Sequence, residues 1–436
     1  MNDFPVVWVT CGTALVLIAM LLGNLCNRIR FPYTIALVIA GMLLNALGEA
    51  FQPFGVLDKV HLTPNFTLYI LLPTLVFDAA LHLDVRAILR NAVPILLLAV
   101  PGVMVVTGLV GAGVARWTPL GLNAAMLFGA LVSTTDPVAC IALFNEIGAP
   151  ARLTLLVDAE SLFNDATAIV MFDIVSAIVA SSLLLPDPAA AWSLGTLAKV
   201  PGQFLLIFCG SALVGAAIGL AVMLLIRYMH HDMLAEIALT TVVAYAAFTV
   251  ANDYLGLSGV MAACGAGIAV KALGREWLLP ATREYLPHFW SFASFMANSV
   301  IFLMLGLTES YLIRDMGRLA GVAGPVAVAI ALVLATRVLI VGGAGAVCNL
   351  LARRPGREKD GISLPMQAVM AWSGLRGALP IALALSVPTT LVSPAERKLL
   401  VQLTVGTVLF TLLVQGTTIK PMLRALGLSG ADGAEG

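Results

Sequence analysis

Three features of the sequence predict an all-α membrane protein with about 13 transmembrane helices. Of its 436 residues, 60% are apolar and only 11% are charged. The mean hydropathy is +0.99. A soluble domain carries about 45–50% apolar and about 25% charged residues, so this chain has too few charges to wet a globule of its size. Finally, the apolar residues gather in runs near the roughly 20 residues that a spanning helix needs. The 24 Lys and Arg are matched by 24 Asp and Glu, which leaves no basic excess to neutralise nucleic-acid phosphates. The apolar content excludes disorder. The lipid bilayer is the expected partner.

In chain order the runs cover residues 5–26, 33–50, 65–83, 91–115, 122–146, 151–182, 195–227, 232–251, 256–273, 288–307, 322–349, 363–387 and 397–420. Each is bounded by charges or by Pro and Gly. No positive residue precedes the first run, and Arg28 and Arg30 follow it, so it reads as a retained span and not as a cleaved signal. Basic residues gather on one set of connections, among them Arg28, Arg86, Arg90, Arg152, Arg227 and Arg353. The positive-inside rule then places the N-terminus outside and the C-terminus in the cytoplasm of a multi-pass protein of the cell (inner or plasma) membrane. His230 and His231 follow Arg227 and read as a solvated connection. The six cysteines stand singly with no CxxC pair, which indicates neither a disulfide framework nor a zinc site.

Residues 1–424 form one membrane domain in this reading, followed by a short tail, 425–436. An odd span, 195–227, links a first six-helix repeat (5–182) to a second (232–420) and so inverts one relative to the other. Inverted repeats are a common transporter plan. The fifth and twelfth spans then correspond. Each carries a charge and a helix breaker at mid-depth: Ser133-Thr134-Thr135-Asp136-Pro137 in one, Gly374-Leu375-Arg376-Gly377 with Pro380 in the other. Matching interruptions in the two halves point to a substrate site built from broken, crossing helices.

Five ionisable residues lie near the middle of their spans: Asp78, Asp136, Asp165, Arg337 and Arg376. Glu160 lies about a third of the way into the sixth. At about 1.5 Å per residue, Asp136 and Asp165 reach the same depth on antiparallel spans. Intramembrane acids mark ion or proton paths, which singles out Asp165; Glu160, Arg337 and Arg376 read first as charges that hold the bundle together. Ser161 shares a helix face with Asp165, and Asn164 shares one with Glu160. Such oxygens suit a hard cation. A carboxylate among them binds a cation or a proton in competition, which is the chemistry of exchange. Asp173 lies on a similar face nearer the outside, and Asp158 reads as a funnel or packing residue on the cytoplasmic side.

At these residues the chain resembles the electroneutral sodium/proton antiporters of the NhaP group and the membrane domain of animal sodium/hydrogen exchangers. The resemblance rests on LPTLVFDAALHLD ending at Asp84, LVSTTDPVACIALFNEIG (131–148), AESLFNDATAIV (159–170), LGLSGVMAACGAGI (255–268), FMANSVIFLMLGL (295–307), TRVLIV (336–341) and SGLRGALPIALAL (373–385). These pieces occur in the family's order over most of the chain. The resemblance implies an ion and proton site at Asn164, Asp165, Thr135, Asp136, Ser161 and Asp78, with Na⁺ held by Asp165, Ser161 and Thr135. It implies a buried ion pair between Glu160 and Arg337, and charge compensation of the broken twelfth helix by Arg376. It also implies Na⁺ or Li⁺ and H⁺ as substrates, no cofactor and a homodimer. Asn164 before Asp165, where other branches have a second Asp, implies one-for-one electroneutral exchange. Ala159 departs from the Gly often found before the Glu-Ser pair. No soluble regulatory domain is expected in this chain. A K⁺/H⁺ antiporter or a proton-coupled symporter on the same scaffold remains the alternative. An intramembrane hydrolase is disfavoured because no GxGD motif accompanies the acids.

Overall fold

The computed structural model describes residues 4–29, 33–50, 66–83, 85–136, 138–186, 188–229, 232–314, 322–353 and 361–429; these form helices and connecting turns, with no strand among them. Pro137, His230, His231 and the tail from 430 lie outside the described residues, as do Arg30, Lys59, Arg318, Arg354, Arg357 and Lys359.

A helix falls on each apolar run. The first three are α1 (Phe4–Ile29), α2 (Tyr33–Ala50) and α3 (Thr67–His82). A short helix, Val85–Arg90, precedes α4 (Ala92–Trp117). The fifth run is split into α5a (Leu122–Leu131) and α5b (Val138–Ile147). Then come α6 (Ala151–Ser182), α7 (Leu194–Tyr228), α8 (Met233–Tyr254) and α9 (Gly259–Trp277). They are followed by α10 (Pro280–Arg314) and α11 (Ala323–Ala352). The twelfth run is also split, into α12a (Leu364–Trp372) and α12b (Leu379–Ser386), and α13 (Pro394–Ala425) completes the order.

Two helices start earlier than their apolar runs. The helix α10 begins at Pro280, ahead of the polar turn with Arg283, Glu284 and His288. The helix α13 begins at Pro394, where Ser393 and Glu396 form a reciprocal capping box. Hydropathy marks where a helix becomes apolar, whereas caps and N1 prolines mark where its hydrogen bonding starts.

The helices sort into two groups by contact. In one, α4, α5, α6, α11, α12 and α13 pack on each other; in the other, α1, α2, α3 and α7–α10 do so. The groups meet where α6 touches α7 and α9, α5b touches α2, and α12b touches the start of α3. Burial ranks the long helices accordingly: 72% of the apolar stretch of α6 is buried against 17% of that of α7, so α6 is central and α7 turns its leucines outward. Apolar burial gives little net drive between helices in lipid, so tight packing of small residues matters more. The helices α2 and α10 show it. A Cβ on Gly306 would strike the Val38 carbonyl and lie 2.9 Å from Gly41 Cα. We expect Gly306→Val to force these helices apart and cost about 1–3 kcal/mol. A lowered midpoint of thermal unfolding in detergent is the readout, and an unchanged midpoint would contradict the packing argument.

One five-residue π-turn in α4, Leu98–Gly102, contains Pro101, whose missing N–H interrupts the regular ladder. Another, Thr411–Gln415, interrupts α13 beside the α12 break.

Candidate functional site

The two breaks lie against each other. Residues 132–136 leave the helix after α5a, and residues 373–378 do so between α12a and α12b. Backbone groups freed in this way must find partners inside the protein. Ser133 and Thr134 donate their hydroxyls to Ala130 O (2.6 Å) and Leu131 O (3.3 Å), tying off the end of α5a. The Arg376 guanidinium donates to Thr134 O at 2.5 Å, and the Ser161 hydroxyl donates to Thr135 O. On the other strand of the crossing, Arg337 Nη2 donates to Met370 O at 3.0 Å. The amide of Asp136 donates to Leu375 O at 2.8 Å, which stitches one break to the other. Both arginines therefore sit at the C-terminal ends of half-helices, where the backbone dipole is negative.

The remaining charges are matched in the same compact way. Glu160 is 1% and Arg337 6% exposed. They form a bidentate pair in which Nη1 reaches Oε1 and Nη2 reaches Oε2 at 2.9 Å. Asn164 donates its amide to Glu160 Oε1 (3.1 Å) and to Thr135 Oγ1 (3.2 Å). It thereby links this pair to the α5 break.

Asp165 is the exception. Its carboxylate accepts no hydrogen bond from the described residues, and it lines a cavity of about 460 Å³ at the seam between the helix groups. Thr135, Asp136, Ser161 and Asp78 line the same cavity, whereas Asn164, Glu160, Arg337 and Arg376 stand behind its wall. The backbone of Gly377 approaches Asp136 so closely that a Cβ there would run into its carboxylate. That carboxylate thus lies just ahead of α12b, whose positive N-terminal dipole end favours an anion. Of the wall residues, His82, Asn145 and Asp158 are exposed, whereas Thr67, Leu72, Leu379 and Pro380 are buried. The cavity therefore opens at the end where α3 and α5b finish and α6 begins.

Sequence reasoning missed His82. Its Nδ1 lies 3.1 Å from Asp78 Oδ1. The i,i+4 spacing on α3 carried that signal. It also missed Asn298 and Ser294 on α10, which line the cavity; a lone polar residue in an apolar run carries no comparable signal. Asp158 lies on the cavity wall. Asp173 is exposed and does not line the cavity. Among the described residues no three His, Cys, Asp or Glu side chains cluster as a metal site. The donors that converge are carboxylate, hydroxyl and carbonyl oxygens, a set that fits a hard monovalent cation better than a transition metal.

Comparison with known proteins adds to this geometry. The family model described as sodium/hydrogen exchanger, transmembrane, matches residues 14–425. The Na⁺/H⁺ antiporter ApNhaP of Aphanothece halophytica is 36% identical over 408 residues, covering 92% of this chain and 71% of its own. The low-affinity Na⁺/H⁺ antiporter NhaS1 of Synechocystis is 35% identical over 402 residues, with the same coverages. The structure of the sodium proton antiporter MjNhaP1 from Methanocaldococcus jannaschii at pH 8 superposes with a TM-score of 0.69, covering 98% of this chain and all of that one. At 19% identity, that likeness speaks to the fold.

Proposed function

The chain belongs to the sodium/hydrogen exchanger family, and from that premise we propose that it exchanges Na⁺ or Li⁺ for H⁺, one for one, by alternating access in the cell membrane. The observation that carries the reading is the bare Asp165 carboxylate. The neighbouring ionic groups Glu160, Arg337 and Arg376 have partners, while Asp165 faces an accessible cavity. Na⁺ or a proton, but not both, fills that position. Thr135, Ser161, Asp136 and Asp78 offer the further oxygens for Na⁺, and Asn164 orients Thr135 while bound to Glu160.

Thirteen spans with inverted repeats suit the contacts. Pairing α1–α6 with α8–α13 in order maps the α2–α10 packing onto α9–α3, and both packings are extensive. It also maps the α5 break onto the α12 break. With the N-terminus outside, the open end of the cavity faces the cytoplasm, so this is an inward-facing state. The group holding both breaks and Asp165 then moves against the other group to expose the site outward. An empty, ionised site crosses poorly because unpaired charge is costly at membrane depth, and this makes exchange obligatory. We take the homodimer as the working assembly.

The test is ion-driven proton flux in proteoliposomes of the purified protein, titrated with Na⁺, Li⁺ and K⁺. Flux with Na⁺ and Li⁺ that is insensitive to membrane potential is expected. Flux with K⁺ alone, or none with any of the three, would refute the reading. In the same assay Gly377→Ala should raise the apparent KM for Na⁺ about tenfold, because its methyl group displaces the Asp136 carboxylate at an overpacking cost of about 1–3 kcal/mol. A wild-type KM would contradict this close approach.

A further inference from the structure

Two polar residues of α13 have no role in the site as described so far. Thr411 and Gln415 are each 1% exposed and mark the two ends of the π-turn. Thr411 Oγ1 donates to Val408 O at 2.9 Å and accepts the Arg376 amide at 3.0 Å. Gln415 Nε2 donates to Trp372 O at 3.0 Å. These two bonds bracket the start of the α12 break, for Trp372 is the last residue of α12a and Arg376 lies four residues on. Between them Leu375 O receives the amide of Asp136.

Resting on the antiport reading above, we propose that Thr411 and Gln415 are positioning residues of the ion site: they pin the α12 break from the π-turn of α13, and through Leu375 they hold the backbone of Asp136.

Three observations carry this. Packing alone does not account for Gln415, because its Oε1 is buried with no hydrogen-bond partner among the described residues. An apolar side chain would avoid that desolvation cost. The turn is also wedged. A Cβ on Gly416 would lie 2.9 Å from Ile35 Cδ1 on α2 and 3.8 Å from Leu375 Cδ1 of the break, so the turn seats closely against the break at a residue with no side chain. Finally, π-turns within α-helices concentrate at functional sites because they aim side chains that a regular helix would not.

The experiment compares reconstituted full-length Thr411→Val, Gln415→Met and Thr411→Ser with wild type in Na⁺-driven proton flux, scaled to folded protein. Each deleted bond should raise the apparent KM for Na⁺ about three- to tenfold, the factor expected for one buried hydrogen bond. Maximal rate per transporter should change less than twofold, and the ratio of Li⁺ to Na⁺ affinity should move with KM. Thr411→Ser, which keeps the hydroxyl, should restore KM to near the wild-type value. A purely structural role would lower yield or thermal midpoint and leave KM unmoved; that result in folded Thr411→Val and Gln415→Met overturns the proposal. Should Thr411→Val fail to fold, Gln415→Met and the shorter Gln415→Asn decide on the same readout. Absence of flux in wild type would refute the antiport reading instead, so the two failures are distinguishable.

Discussion

Replacing Asp165 by asparagine is expected to reduce Na⁺-driven proton flux to the level of empty liposomes while leaving the protein folded. The substitution keeps shape and volume but removes the charge of the cavity-lining carboxylate that has no hydrogen-bond donor among the described residues. No hydrogen bond from the described residues is lost, because the carboxylate accepts none. What is lost is compensation for the ion. An unopposed charge at membrane depth costs about 2.5–3.5 kcal/mol on the mildest scale, which sets the scale for losing the carboxylate that faces the ion most directly, and every 1.4 kcal/mol is tenfold in affinity. A fall of about a hundredfold in Na⁺ occupancy follows. The amide also has no proton to exchange at working pH, so both halves of the cycle stop together. Retained flux in Asp165→Asn would remove this residue from the centre of the mechanism.

Breaking the Glu160–Arg337 pair should have the largest effect on stability. With Glu160 only 1% exposed, its deletion leaves the Arg337 guanidinium buried without its carboxylate, and Asn164 loses one of its two acceptors. Removing one partner of a buried pair costs about 3–5 kcal/mol, because the other charge stays desolvated and unopposed. Glu160→Ala is therefore expected to unfold at a markedly lower temperature than wild type. The double variant Glu160→Arg with Arg337→Glu should recover part of the loss, since the opposite charges still meet. Recovery will be incomplete, because the arginine now on α6 cannot accept from Asn164 and the carboxylate now on α11 cannot donate to Met370 O. Equal thermal midpoints for Glu160→Ala and wild type would show that the pair contributes nothing.

The helices and the breaks were legible in the sequence for a physical reason. Lipid tolerates no unpaired backbone, so spans announce themselves as long apolar runs, and Ser-Thr-Thr-Asp or Gly-Leu-Arg-Gly within such a run stands out. Charges stand out for the same reason, which brought Asp165, Asp136, Arg337 and Arg376 forward. Their partners were harder to read. Glu160 and Arg337 are 177 residues apart, so no spacing rule links them, and the pairing came from family resemblance. Thr411 and Gln415 carried no signal at all. A threonine in an apolar helix commonly returns its hydroxyl to its own backbone, as Thr404 and Thr407 do here on α13. Only the π-turn sets Thr411 apart, and nothing in residues 408–416 foretells it. His82 was readable from its four-residue spacing to Asp78 but lies at the end of its run, where a polar residue draws no notice.

The bond from the Asp136 amide to Leu375 O has a mechanical consequence. It joins the two interrupted helices at the point where each is weakest, so a hinge in one half would have to break its bond to the other. Under the alternating access proposed above, the binding site would then travel as cargo within this joined unit and would not be rebuilt at each face. Ion preference then belongs to the unit itself, and the side from which an ion arrives sets only how it gets in.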